Sequence, residues 1–167
     1  MKKLISSVDE PFNGFSHLIG ALLSVFLLFL LMEAAESNPL RYKLAFVIYG
    51  LSLIGMFASS AIYHLLIVQE KTKIQLQRID HIMIFFLIAG SYTPIAAIGL
   101  DEISSYTILI IIWVFAAVGI IKKMYWLHAP RWISTLVYLM MGWIAIFVFP
   151  QLWTAMPFNF LLWIMIG

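Results

Sequence analysis

The chain has 167 residues, of which 63% are hydrophobic and only 11% are charged, and its formal net charge is +2. A soluble domain carries about 25% charged residues, so this composition excludes one and predicts that the chain's partner is the lipid bilayer. The small charge and the lack of a basic stripe give no support for a nucleic-acid partner, and none is expected. Because the chain has no cysteine, disulfides and cysteine-ligated metals are excluded.

Five apolar windows of about 20 residues, the length that crosses the hydrocarbon core as a helix, lie between the charged residues. They predict an all-α membrane protein with a single transmembrane domain over residues 1–167. The predicted helices are approximately 12–32, 44–68, 80–100, 103–122, 132–149 and 158–167. Proline ends or kinks helices, so Pro150-Gln151 and Pro157 are expected to separate the fifth helix from the sixth. A half-span would leave backbone groups unsatisfied in lipid, so the natural protein is expected to continue beyond Gly167.

Lysine and arginine in the short connections predict the orientation of these helices. The connections on one side carry most of the basic residues: Lys2, Lys3, Lys71, Lys73, Arg78, Lys122, Lys123 and Arg131. Only Arg41 and Lys43 lie on the other side. The pattern predicts a multi-pass protein of the cell membrane with its N-terminus in the cytoplasm.

Three polar residues open the first predicted helix. Glu10, Asn13 and His17 are spaced by three and four residues, so they share one helix face. Ionisable groups at membrane depth are costly and are therefore functional candidates. The alternative is that Asp9 and Glu10 simply favour a helix N-terminus and that His17 lies at the membrane interface.

Ser60 and His64 share a face in the last turns of the second predicted helix, and Asp80 opens the third. The alternative is that Ser60 bonds to its own backbone, that His64 is interfacial and that Asp80 is a helix N-cap. With the N-terminus inside, these residues and those of the first helix fall in one cytoplasmic-side layer, which a single polar cavity would explain. Imidazole, carboxylate and hydroxyl groups suit a zinc site with an activated water, although composition and spacing do not show a metal.

Four short motifs carry a resemblance to a known family. They are Glu10-Pro-Phe-Asn13-Gly-Phe-Ser-His17, Ser60-x3-His64, Asp80-His81 running on to Gly90-Ser91-Tyr92-Thr93-Pro94, and Tyr138-Leu-Met-Met-Gly142-Trp143. In this order they resemble the motifs of the hemolysin III proteins, over essentially the whole chain. That family belongs to the progestin and adipoQ receptor superfamily. The resemblance implies a bundle of seven transmembrane helices with the N-terminus inside, of which this chain holds about five and a half.

The resemblance also implies a zinc site near the cytoplasmic side. His64 would be one metal ligand, and the other two would come from a His-x3-His motif on the seventh helix, beyond residue 167. Ser60 and Asp80 would hold the zinc-bound water and would be the catalytic residues. The residues of the first motif would support the ligands or the fold: Glu10, Asn13 and His17. His128, in the connection before Pro130, is not expected to be a ligand.

Two functions follow from these expectations. The first is a zinc-dependent intramembrane hydrolase that cleaves an amide in a lipid-like substrate. The alternative is a membrane-active protein, cytolytic or pore-forming, or a signalling protein, with only a structural zinc. A pore has little support because the charged residues gather at one end, and a conducting path needs polar residues along its length. Transport coupled to the buried His and Asp is weaker still, since no inverted repeat is found. The sequence leaves open whether the chain is an enzyme.

Overall fold

The computed structural model describes residues 9–127 and 130–166, apart from the side chains of Arg131, Ile164 and Met165. Within these ranges the chain forms helices and short connections, without a strand. The helices are α1 (Pro11–Ala34), α2 (Leu40–Leu65), α3 (Glu70–Gly99), α4 (Glu102–Tyr125), α5 (Arg131–Trp143), α6 (Ala145–Ala155) and α7 (Phe158–Ile166). The predicted all-α class is confirmed. Lys2, Lys3 and His128 lie outside the described residues.

Five segments are long and apolar enough to cross a membrane: α1 to α4, and the stretch Trp132–Ala155 that α5 and α6 share. Many of their large apolar side chains face outwards, with Phe12 84% exposed, Leu22 65% and Phe147 82%. An apolar surface of this extent would promote aggregation in water. In a bilayer, lipid tails cover it without penalty, because they are as apolar as the side chains. The chain is therefore a multi-pass helical membrane bundle.

The helix α3 lies at the centre of the bundle. It packs between α2 and α4 and also contacts α5 and α6, while α1 packs on the far side of α2. The core cluster joins α3, α4 and α5 and consists of Phe85, Ala89, Tyr92, Ala96, Ile108, Ile112, Ala116 and Met141. Gly90 of α3 lies so close to Ser52 of α2 that a Cβ atom there would overlap the serine hydroxyl. Small residues at such a crossing let two membrane helices approach each other closely.

The helix α3 begins at Glu70, ten residues before the predicted start at 80. The basic segment that holds Lys71, Lys73 and Arg78 is therefore helical and not a loop. Charged residues end the membrane-spanning part of a helix, but Glu, Lys, Gln and Arg are good helix formers, so the helix continues past the apolar region. As a consequence, Asp80 lies in the interior of α3, and the alternative that it serves as an N-cap is wrong.

The predicted fifth helix is divided at Ile144, not at Pro150. The Tyr92 hydroxyl donates to the carbonyl oxygens of Met141 and Gly142, at 2.8 and 2.9 Å, and accepts the Ala145 N–H at 2.9 Å. In a continuous helix, Ala145 would donate to Met141 directly. The hydroxyl takes the place of that bond, and a side chain inserted in this way is a known cause of helix breaks. Pro150 lies inside α6 without ending it.

Candidate functional site at the basic end of the bundle

The first turn of α1, the last turn of α2, the first turns of α3 and the last turn of α4 meet at one end of the bundle. We call it the basic end because it carries Lys73, Arg78, Lys122 and Lys123. Hydrogen bonds run from α1 to α2 and from α3 to α2 at this end, and α4 packs against α3. The predicted polar residues of the first three helices all lie at this end.

The start of α1 is fastened to the end of α2 through Glu10. The last four carbonyl groups of any α-helix have no partner within the helix. The backbone N–H of Glu10 donates to the carbonyl oxygen of His64 at 3.0 Å and so satisfies one of them. The Glu10 carboxylate in turn accepts a hydrogen bond of 2.7 Å from the Asn13 side chain, one turn into α1. The predicted shared face of α1 is thereby confirmed for Glu10 and Asn13.

The imidazole of His64 lies against Glu10 and His17. Its Nδ1 atom is 2.9 Å from Glu10 Oε2, which is an ion-pair distance if the ring is protonated, but the contact lacks the linear geometry of a hydrogen bond. The His17 ring stacks on the His64 ring with centroids 5.9 Å apart and an angle of 9° between the planes. The His17 Nδ1 atom is buried and has no hydrogen-bond partner among the described residues. Two imidazoles and a carboxylate therefore share one small volume.

Lys73 is a member of the site that sequence reasoning did not identify. Its ammonium group donates to Asp9 Oδ2 at 2.5 Å and to the Tyr63 carbonyl oxygen at 2.6 Å. It also lies 4.5 Å from the centre of the Tyr63 ring. Lys73 of α3 thus satisfies a second free carbonyl group at the end of α2, that of Tyr63. The same ammonium group also binds the Asp9 carboxylate, which precedes α1. The signal available in the sequence is its basic charge soon after the end of α2, which by itself indicates only the orientation of the helices.

Ser60 and Asp80 are not in contact with the His64 imidazole through any described interaction. Ser60 is buried one turn before His64. The hydroxyl group of Ser60 makes no described hydrogen bond to the backbone of its own helix. In this it differs from three other serines of α1 and α2, which do: Ser24, Ser52 and Ser59. Asp80 is half-buried in α3, and its charge acts on His81 and Tyr138. The structure therefore brings Glu10, Asn13, His17 and His64 together and leaves Ser60 and Asp80 beside them.

The spacing along α2 and α3 nevertheless places Ser60 and Asp80 at the same depth. Gly55 of α2 faces Met83 of α3, as Ser52 faces Gly90 further along this antiparallel pair. Both helices rise by about 1.5 Å per residue, so counting from these two pairs in opposite directions brings Ser60 level with residues 78 to 82 of α3, the turn that holds Asp80. The serine hydroxyl and the carboxylate thus belong to adjacent turns of neighbouring helices.

A second polar group lies between α3, α4 and α5. Lys123 of α4 is buried, with 5% of its surface exposed, and its charge acts on His81. The Tyr138 hydroxyl of α5 donates to the His81 carbonyl oxygen at a long 3.4 Å. No hydrogen bond or ion pair of the described residues takes up the Lys123 ammonium group. The sequence does not distinguish Lys123 from its neighbour Lys122, which has the same charge. Only the structure shows that Lys123 is the more buried of the two.

The described residues provide one supported candidate metal ligand. Among them, no group of three or more His, Cys, Asp or Glu side chains could hold a metal ion. His64 fits the role of a single ligand because Glu10 lies at its Nδ1 atom, which leaves Nε2 as the nitrogen that a metal would take. Ligating histidines commonly donate their other ring N–H to a carboxylate; the Glu10–His64 contact has the distance of such a bond but not its geometry.

Comparisons with known proteins agree with the motifs. The family described as "Haemolysin-III related" has a sequence model that matches residues 5–167. The "Hemolysin-3 homolog" of Bacillus subtilis (strain 168) is 37% identical over 149 residues, which cover 89% of this chain and 70% of that protein. "Hemolysin-3" of Bacillus cereus is 36% identical over 139 residues, which cover 83% of this chain and 63% of that protein. The chain thus spans about two thirds of the length of these relatives. No solved structure matches it.

Proposed function

This chain belongs to the hemolysin III family of membrane proteins, and on that premise we propose that it supplies His64 to a zinc site at the basic end of the bundle. The site would serve an intramembrane hydrolase that cleaves an amide in a lipid-like substrate. The basic end would face the cytoplasm of a cell-membrane protein. The remaining two ligands would be the histidines that the resemblance implies outside these 167 residues.

The observation that carries this proposal is the contact between Glu10 and His64. The carboxylate lies 2.9 Å from Nδ1, and the backbone of the same residue holds the end of α2. The carboxylate occupies the Nδ1 side of the ring, although without the geometry of a hydrogen bond, so a metal would be bound through Nε2. A histidine at a bare membrane interface would need no such support, so the arrangement favours a ligand over an interfacial residue.

Ser60 and Asp80 would then handle the water that is consumed. A zinc ion, when bound, lowers the pKa of a coordinated water to about 7. Asp80, level with Ser60 across the α2–α3 interface, would accept the proton of that water and later pass it to the leaving amine. The Ser60 hydroxyl would orient the water by a hydrogen bond. A carboxylate and a hydroxyl in a half-buried layer are suited to these two tasks.

Zinc binding by the natural full-length protein tests the proposal. Purified wild-type, His64→Ala, Asp80→Asn and His81→Ala proteins would be compared for zinc content and for zinc affinity against a chelator of known strength. We expect His64→Ala to lose the metal and His81→Ala, a matched histidine at the same end, to keep it. Asp80→Asn should keep the metal and slow the hydrolysis of a ceramide-like amide. Retention of stoichiometric zinc by His64→Ala would refute the metal assignment.

The hydrolase assignment has a separate test. If zinc binds through His64 but no amide of a lipid-like panel is hydrolysed, or Asp80→Asn leaves turnover unchanged, the metal would be structural and the reaction proposed here would be wrong. The names of these two Bacillus relatives refer to haemolysis. A conductance measurement on the purified protein in planar bilayers separates that activity from hydrolysis.

A further inference from the structure

A narrow cleft lies at the opposite end of the bundle from the basic end. It has a volume of about 180 Å³ and runs between the start of α2, the end of α3 and the start of α4. Its walls are mostly apolar, with Ala45, Ala97 and Leu109 contributed by the three different helices. At its inner end it reaches Thr93, which is buried in the last two turns of α3. None of these residues belongs to the site described above.

Two opposite charges stand at the rim of this cleft. Arg41 lies in the first turn of α2, and Glu102 is the first residue of α4. The charge of Glu102 acts on Arg41, yet the two side chains form no ion pair among the described residues. The guanidinium group is instead held by Tyr42, whose hydroxyl accepts a hydrogen bond of 3.0 Å and whose ring centre lies 4.9 Å away. The arginine and the carboxylate are therefore kept apart on two walls of one cleft.

The chemistry of the rim identifies the class of molecule that would fit. Arginine binds phosphate oxygens through its fixed fork of N–H donors. A carboxylate accepts hydrogen bonds from a primary ammonium group, whereas a quaternary ammonium has no N–H to donate. Glu102 would repel a headgroup that carries only negative charge. The apolar walls below are suited to an acyl chain, and a cleft smaller than the usual 300–1,000 Å³ of a ligand pocket would hold only the upper part of one.

We propose that this cleft binds a phospholipid whose headgroup carries both a phosphate and a primary ammonium group, as phosphatidylethanolamine does. The phosphate lies on Arg41, the ammonium group lies on Glu102, and one acyl chain enters the cleft towards Thr93. The lipid would thereby join the starts of α2 and α4 to the end of α3. This inference is independent of the proposed zinc site.

Native mass spectrometry of the delipidated full-length protein in detergent tests this inference. The probes are phosphatidylethanolamine, phosphatidylcholine and phosphatidylglycerol with the same acyl chains. For the wild-type protein we expect phosphatidylethanolamine to bind roughly tenfold more tightly than the other two, as one charge-assisted contact supplies about that factor. Soluble glycerophosphoethanolamine, which has the headgroup without the chains, should not compete. Equal affinity for all three lipids would overturn the proposal, as would displacement of the lipid by the soluble headgroup.

Charge variants test which residue binds the phosphate and which binds the ammonium group of the lipid. Glu102→Gln should reduce phosphatidylethanolamine binding to the level of phosphatidylcholine, because only the ammonium contact is lost. Arg41→Gln should weaken the binding of all three lipids. The matched controls are Glu36→Gln and Lys43→Gln, which make the same charge changes at the same end of the bundle but outside the cleft. If each variant behaves like its control, the rim charges do not bind the headgroup and the proposal is wrong.

A variant that fills the cleft separates binding inside it from adsorption at the surface. Ala97→Leu places a larger side chain in the apolar part of the cleft while both charges remain. We expect roughly tenfold weaker phosphatidylethanolamine binding with an unchanged thermal unfolding midpoint. Unchanged lipid binding in this variant would show that no acyl chain enters the cleft. Should Ala97→Leu lower the midpoint, the exposed charge variants decide the question, since neither alters the core.

Discussion

The hydroxyl group of Tyr92 gives the sharpest test of the packing. Tyr92→Phe removes a hydroxyl group that makes the equivalent of two hydrogen bonds: its single proton is shared between the carbonyl groups of Met141 and Gly142, and its oxygen accepts the N–H of Ala145. Hydrogen bonds between membrane helices contribute about 0.6 kcal/mol each on average. Leaving a buried donor unsatisfied adds about 1 kcal/mol or more. We therefore expect the free energy of unfolding to fall by about 2 kcal/mol.

Reversible unfolding of the purified protein in mixed micelles, titrated with a denaturing detergent, measures this change. Tyr138→Phe is the matched control, because it removes a hydroxyl that makes a single long bond of 3.4 Å to His81. It should cost less than about 1 kcal/mol. A cost for Tyr92→Phe no larger than that of Tyr138→Phe would refute the reasoning. It would mean that α5 and α6 join into one helix once the hydroxyl is gone, so that Ala145 donates to Met141 directly.

Three further predictions concern charged groups. Glu10→Gln should lower the zinc affinity of the full-length protein by about 10–100-fold, measured by chelator competition, because it removes the carboxylate at His64 Nδ1. Lys123→Met should raise the free energy of unfolding by about 1 kcal/mol, since it replaces a largely buried cationic side chain by an apolar side chain of similar length. The Ser104 backbone N–H, and next the Gln151 side chain, lower the pKa of the Asp101 carboxyl from 3.8 to about 2. That carboxylate therefore contributes stability above pH 4 that is lost as the pH falls towards 2, and Asp101→Asn should remove this part of the acid dependence of the unfolding midpoint.

Each of these predictions has a matched control. Asp9→Asn changes a carboxylate beside Glu10 that bonds to Lys73 and not to His64, so it should affect zinc affinity less than Glu10→Gln. Lys122→Met removes the same charge from a less buried position and should leave stability nearly unchanged. For Asp101, Glu102→Gln changes an adjacent carboxyl that does not cap α4. A common response of variant and control would contradict the assigned cause in each case.

Much of the fold was predictable because the bilayer imposes a simple rule on the sequence. Charged residues are costly in hydrocarbon, so their positions mark where each span ends. The windows beginning at 12, 44 and 103 correspond to α1, α2 and α4, whose observed starts differ from them by no more than four residues. The gathering of Glu10, Asn13, His17 and His64 at one end followed from the same rule, since alternating spans return polar helix ends to the same side.

Two features of the fold were not predictable from this rule. A charge marks the edge of the membrane and not the end of a helix, so α3 extends back to Glu70 through residues that favour helix in water. The break between α5 and α6 depends on the hydroxyl of Tyr92, which is about fifty residues away in sequence. No local signal at Ile144 announces it, whereas Pro150 carries a strong local signal and is accommodated. Both differences arise where tertiary contact or solvent decides the local structure.

The sequence predicts most residues of the site but not the contacts that they make with one another. Spacing predicted that Ser60 and His64 share a face, yet it carried no information on what would satisfy the free carbonyl groups at the end of α2. Those groups are taken by the backbone N–H of Glu10 and by the ammonium group of Lys73, from two other elements. The position of the His64 imidazole is therefore set by backbone bonds at a helix end as much as by its own side-chain partners. It follows that a substitution of Lys73, which does not contact an imidazole, should shift the position of the His64 side chain. The same substitution of Lys71, which is solvent-exposed in the same turn of α3, should shift it less.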